Sequence, residues 1–157
     1  MKPNIGIKEK DLQKTYKTLN VLLSNEMLLY VKTRKFNWNV TGNSFMELHL
    51  LFESHYKELE EIIDEVAERI NKLGSQTIGT MEEFTKYATL KEAPGKYPSQ
   101  KDMIAQLLSD HEQIVTEIRK HVDSEEKEGL DAGTTDFITG LMEQHETIAW
   151  KLRRYLN

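Results

Sequence analysis

Between Phe45 and Leu73 apolar residues recur at steps of three and four: Phe45, Leu48, Phe52, Leu59, Ile62, Ile63, Val66, Ile70 and Leu73. At 100° per residue these positions form one stripe, so the segment predicts a long helix with a single buried face. No glycine or proline interrupts it before Gly74. A helix patterned in this way needs other helices to cover its stripe.

The rest of the chain supplies them. A first helix is expected from about Lys8 to Phe36, with Leu12, Tyr16, Leu19, Leu22, Leu23, Met27, Tyr30 and Val31 at helical spacing. It leads into the turn Val40-Thr41-Gly42-Asn43, after which Asn43 or Ser44 is suited to cap the long helix. A long connection follows, Ser75 to Ser99, holding a short helical stretch from Met81 to Ala88 and the turn segment Ala93-Pro94-Gly95-Lys96-Tyr97-Pro98. Ser99 with Asp102 resembles a capping arrangement for a third helix over about Gln100 to Val122. The last helix is expected over about Thr134 to Leu156, and Lys151, Arg153 and Arg154 place cations where its dipole favours them. The expected fold is all-α: a four-helix bundle with a short extra helix in the crossover between helices two and three, as one domain over 1–157 behind a short tail, 1–8.

Four residues beside the apolar stripe carry candidate chemistry. His49 and Glu53 are neighbours one turn apart, and so are Asp64 and Glu68. The pairs cannot share an ion within one helix, because Glu53 and Asp64 stand roughly 16 Å apart along the axis and His49 and Glu68 roughly 28 Å. Both midpoints fall between Glu58 and Leu59. Two such helices packed antiparallel about a twofold axis there would set His49 and Glu53 of one chain against Asp64 and Glu68 of the other. Twofold dimers are the commonest homo-oligomers. Acidic residues four apart also describe a merely solvated face, so spacing alone leaves both readings open.

Charge separates the chain into two parts. Through Phe36 there are eight Lys and Arg against three Asp and Glu, while the whole chain is at −5, so the remainder carries −10. An acidic body suits cation capture and disfavours DNA phosphates, which bind through clustered Lys and Arg. The absence of cysteine removes disulfides and thiolate metal sites. No run is apolar enough to span a membrane, and the start lacks the apolar segment of a signal peptide, so the expected location is the cytoplasm.

The run FNWNVTGNSFMELHLLFESHYKELEEIIDEVAERI resembles the signature region of the Dps family, the ferritin-like miniature iron cages. Trp38, Asn39, Gly42, His49, Glu53, Asp64 and Glu68 fall on that pattern, and Trp150 matches the family's late tryptophan. A long crossover between helices two and three is also how ferritin-like bundles reverse their topology. There is one departure: the pattern's first histidine is Asn37 here. An amide oxygen is a harder and weaker ligand than an imidazole nitrogen, which places ferroxidase competence in question but not the fold.

The resemblance implies a dodecamer of twofold dimers that oxidises ferrous iron, by preference with hydrogen peroxide, and stores a ferric mineral. His49, Glu53, Asp64 and Glu68 would be catalytic and metal-binding, with Asn37 a fifth candidate ligand and zinc or another divalent metal an alternative occupant. Trp38 reads first as core packing and, in the family pattern, lies close to the metals. Acidic residues near the last helix line iron pores in the family, and Glu125, Glu126, Glu128, Asp131 and Asp136 form such a cluster, with Asp131 and Asp136 the nominees. DNA binding is open to the chain but not favoured, because the tail offers only Lys2, Lys8 and Lys10 and no tail is expected beyond Asn157. One rival reading is a structural or DNA-protecting cage whose oxidation site is impaired by Asn37. Another is a helical interaction module without metal. No histidine has a Glu three residues before it, which argues against the in-bundle di-iron motif of full-size ferritins. His55, His111, His121 and His145 are accordingly expected at the surface or in an interface.

Overall fold

The computed structural model describes residues 3–123 and 131–156. Five helices appear in the order α1 (Glu9–Asn39), α2 (Phe45–Lys72), α3 (Met81–Tyr87), α4 (Gln100–Asp123) and α5 (Ala132–Arg154), with no strand among the described residues. The all-α bundle read from the sequence is the bundle observed, including the short helix in the crossover. Lys2, Glu125, Glu126 and Glu128 lie outside the described residues.

α1 and α2 form one helical hairpin, and α4 and α5 form the other. Leu48, Phe52, Leu59, Ile62, Val66 and Ile70 of α2 are buried, each stabilising the bundle by about 1.5–3 kcal/mol. Phe45 departs from the expected stripe: it begins the helix 41% exposed. α1 also runs one turn further than its pattern suggested, to Asn39, because the Val40 N–H still bonds the Phe36 carbonyl, at 2.8 Å. Asn37 and Trp38 therefore stand on the last turn of α1. The reversal itself needs Gly42, whose φ of +112° costs a side-chain-bearing residue dearly. Ser44 occupies the N-cap position of α2 without a side-chain capping bond.

The crossover is tied to α1 by Asn25, which is buried. Its amide nitrogen donates to Thr89 Oγ1 at 2.8 Å, and its Oδ1 accepts from the Thr89 and Leu90 N–H groups at 2.8 and 3.1 Å. α3 starts in a capping box between Thr80 and Glu83 and buries Phe84.

Three of the four histidines expected at the surface or in an interface are in the core of the single chain. His55, His111 and His145 are each 0% exposed, and only His121 lies at the surface. The pattern explains the burial, since His55 follows Phe52 by three and precedes Leu59 by four, a position on the apolar stripe.

Candidate metal centre

The end of α1 meets the start of α2 through Asn37 and His49. Asn37 is 5% exposed, and its side-chain amide donates to the His49 carbonyl at 2.7 Å. The Asn37 carbonyl accepts in return from His49 Nδ1 at 2.9 Å. Nδ1 also lies 3.2 Å from the Asn37 amide nitrogen, a donor, but that nitrogen already bonds the His49 carbonyl at 2.7 Å. The shorter contact, to a carbonyl oxygen that can only accept, favours the neutral tautomer with the proton on Nδ1 and the lone pair on Nε2. This is the tautomer a metal-ligating imidazole adopts when its other nitrogen is held by the protein. Phe45 stacks on the His49 ring with 5.4 Å between centroids. Asn37 thus acts as a clamp on His49.

Glu53 stands one turn along α2 and pairs with Lys57 at 2.5 Å. The hydrogen bond and charge of Lys57 lower its pKa. Glu68 pairs likewise with Lys72 at 2.9 Å, and that lysine lowers its pKa in the same way. Both carboxylates are ionised at neutral pH, as ligands for a hard cation must be, but each has a lysine to displace. Asp64 is exposed. The structure joins His49 to Asn37 and leaves Asp64 and Glu68 several turns away on the same helix. Among the described residues, no group of three or more His, Cys, Asp or Glu within the chain is arranged to hold a metal ion.

Trp38, expected in the core, is 66% exposed with the Arg34 guanidinium 5.4 Å from its ring. Met46 and Leu50 are also exposed, at 61% and 57%. Asp131 is the N-cap of α5, accepting from the Thr134 N–H at 3.1 Å and from Thr134 Oγ1 at 2.6 Å, and it pairs with Arg69 at 3.0 Å. Burial pushes its pKa up, but the Thr134 bonds and the Arg69 charge outweigh this and hold it low. Asp136, one turn on, is exposed.

Sequence reasoning missed Glu26, His55, His111 and His145, all wholly buried. The signal was present: His111 lies four after Leu107 and three before Ile114, and His145 four after Leu141 and three before Ile148.

Residues 16–157 match the family model of the ferritin-like domain. An uncharacterized low temperature-induced protein of Nostoc is 48% identical over 119 residues, 76% of this chain and 66% of that one, so the chain spans just under two thirds of that relative's length. The DNA protection during starvation protein of Brevibacillus brevis is 37% identical over 101 residues, 64% of this chain and 67% of that one. A Dps protein of Vibrio cholerae, described as a member of a broad superfamily of ferritin-like diiron-carboxylate proteins, superposes with a TM-score of 0.89 at 29% identity, covering 100% of this chain and 98% of that one. The chain belongs to the ferritin-like family, among its Dps members.

Proposed function

We propose that this protein is an iron-storing and iron-detoxifying mini-ferritin that oxidises ferrous iron at sites shared between two copies of the chain. The observation that carries the reading is the Asn37–His49 clamp, which presents His49 Nε2 unprotonated beside Glu53. Asp64 and Glu68 lie beyond the twofold point between Glu58 and Leu59 and complete the ligand set from the partner. The exposed Trp38, Phe45, Met46 and Leu50 around the half-site form an apolar border that a second copy would cover.

Ferrous iron is the substrate. Carboxylate oxygens favour the harder ferric product, while the imidazole helps to hold the ferrous ion. Hydrogen peroxide is the proposed oxidant: one peroxide takes one electron from each of two ferrous ions and, with two protons, becomes two waters. The ferric ions then move into the hollow of a dodecamer and deposit as mineral. In this reading the protein works in the cytoplasm, and Asp136 is better placed than Asp131 to line an entry pore, because the Asp131 oxygens already cap α5 and pair with Arg69.

A second reading is a cage with impaired oxidation. It is favoured by the amide nitrogen of Asn37, which is committed to the His49 carbonyl where an imidazole ligand would stand in the family pattern. Anaerobic titration of the metal-free protein with ferrous iron, followed by a peroxide pulse, decides between them, and the solution mass is measured in parallel. The proposed function expects saturable ferrous binding, rapid peroxide-dependent oxidation and a dodecameric mass. Background oxidation by an intact cage supports the second reading, and a stable monomer contradicts both.

A further inference from the structure

Arg34 of α1 lies among three aromatic rings, its guanidinium carbon 4.6 Å from the Tyr56 centroid, 5.4 Å from Trp38 and 5.5 Å from Tyr30. Its Nη1 donates to the Tyr30 hydroxyl at 2.6 Å, and the Tyr30 and Tyr56 rings meet edge to face at 6.2 Å. Among the described residues no carboxylate forms an ion pair with it; the nearest acidic charge acting on it is that of Glu60. A guanidinium carries five N–H donors in a fixed fork, and aromatic faces hold that fork in place without consuming its donors. Arg34 is thus a positioned cation with most of its hydrogen bonds unmade.

α2 presents the complementary charge. His49, Glu53, Lys57, Glu60, Asp64 and Glu68 recur at steps of three and four and form the stripe turned away from the buried face. Glu53 is paired with Lys57 and Glu68 with Lys72, while Asp64 is a proposed iron ligand. Glu60 is exposed and has no such partner at contact distance among the described residues. Two copies packed antiparallel about the point between Glu58 and Leu59 bring their Glu60 positions to roughly 4.5 Å of each other along the axis. Like charges so placed disfavour the contact unless a cation offsets them. Tyr56 marks the α1 edge of the stripe, and Glu60, one turn on, shares that edge. The twofold axis lays this edge along its own copy. The partner's Glu60 then comes level with Lys57, about 1.5 Å along the axis from Tyr56, on which Arg34 rests. Helices packed about 8–10 Å apart leave a gap that an arginine and a glutamate side chain together span.

We propose that Arg34 pairs with the partner's Glu60, and that the two symmetric pairs fix the register in which His49 and Glu53 meet Asp64 and Glu68 of the partner subunit. The pairing rests on the twofold reading of the shared site. Arg34 is a positioning residue, since it touches no iron and acts only by aligning the two halves. Arginine with tyrosine and tryptophan is also the combination enriched at protein interfaces.

The test mixes two full-length variants. Arg34→Glu and Glu60→Arg each set like charges against one another across the axis, so each alone is expected to dimerise about tenfold more weakly than the parent. Refolded together, with one chain isotope-labelled, they regain both pairs in the heterodimer. Native mass spectrometry should show heterodimers well above the half that random pairing gives, and peroxide-dependent iron oxidation should return in the mixture alone. A contact confined to one chain is broken in both variants and predicts no such preference. If the reversals fail to fold, Arg34→Gln and Glu60→Gln replace them, because their heterodimer keeps one native pair and neither homodimer keeps any. Lys57→Cys places the only thiol of a cysteine-free chain beside its own copy, so a short bismaleimide should join two chains. Cross-linking without a heterodimer preference overturns the Arg34 pairing and leaves the shared site standing. No cross-link contradicts the twofold reading itself, and the pairing falls with it.

Discussion

Asn37 and His49 hold each other by two reciprocal bonds, amide to backbone carbonyl at 2.7 Å and ring Nδ1 to backbone carbonyl at 2.9 Å. The consequence is chemical as well as structural, since the same bonds that join α1 to α2 set which imidazole nitrogen faces outward with a lone pair. Asn37→Ala removes one of the bonds and leaves the His49 carbonyl without it. The expected cost is about 1–2 kcal/mol in stability, read as a lower denaturation midpoint. Ferrous affinity should fall several-fold, while Asn37→His should raise it. Equal ferrous affinity in all three proteins would show that the clamp has no bearing on the metal.

Lys57 and Lys72 compete with any cation for Glu53 and Glu68. Exposed pairs of this kind contribute little to stability, so Lys57→Ala should leave the melting temperature nearly unchanged. It should tighten ferrous binding by about two- to fivefold, an effect that shrinks as salt is raised. Calorimetric titration at two ionic strengths checks both parts.

Asp131 and Asp136 separate a structural from a transport role. Asp131→Ala deletes the α5 cap and the Arg69 partner, with an expected loss of about 1–2 kcal/mol measured by urea unfolding. Asp136→Asn, at an exposed position, should unfold as the parent does yet take up ferrous iron more slowly. A stopped-flow comparison of the two variants distinguishes these outcomes.

Acid should weaken the metal-free protein through its buried histidines. Burial, with the Lys151 charge second, pushes His55 down to about 4 from its ordinary 6.5. His111 is likewise held well below 6.5 by burial, then by His145 and His55. Above pH 6.5 neither folded nor unfolded chain protonates His55, and its contribution to stability is intact. As the pH falls toward 4, the unfolded chain takes up a proton that the folded chain refuses, so stability drops by about 1.4 kcal/mol per unit and about 3 kcal/mol in all. Urea midpoints measured with chelator across this range should fall with pH, and His55→Leu should flatten part of the slope.

Much of the fold was legible in the apolar spacing, because Leu48, Phe52, Leu59, Ile62, Val66 and Ile70 repeat with the helical period and are buried as that period requires. The end of α1 was not, because Asn37-Trp38-Asn39 has the composition of a turn and continues the helix only through the Val40 bond to Phe36. Phe45 and Trp38 looked like core on hydrophobicity alone, yet both stand exposed, Phe45 against the His49 ring and Trp38 against Arg34. The buried histidines were misjudged because polarity was weighed above position. Glu26 follows Leu23 by three and precedes Leu29 by three, and it sits as deep in the core as its neighbours.

Complementation between two dead proteins tests the shared site most directly. His49→Ala/Glu53→Ala removes one half of every site, and Asp64→Ala/Glu68→Ala removes the other. Each protein alone should show only background peroxide-dependent iron oxidation. Mixed, unfolded and reassembled together, half of the dimers would be heterodimers, and each heterodimer would carry one intact site and one doubly broken one. About a quarter of the parental activity should therefore return. If nothing returns from mixed cages of verified composition, His49 and Glu53 do not share a site with Asp64 and Glu68 of the partner.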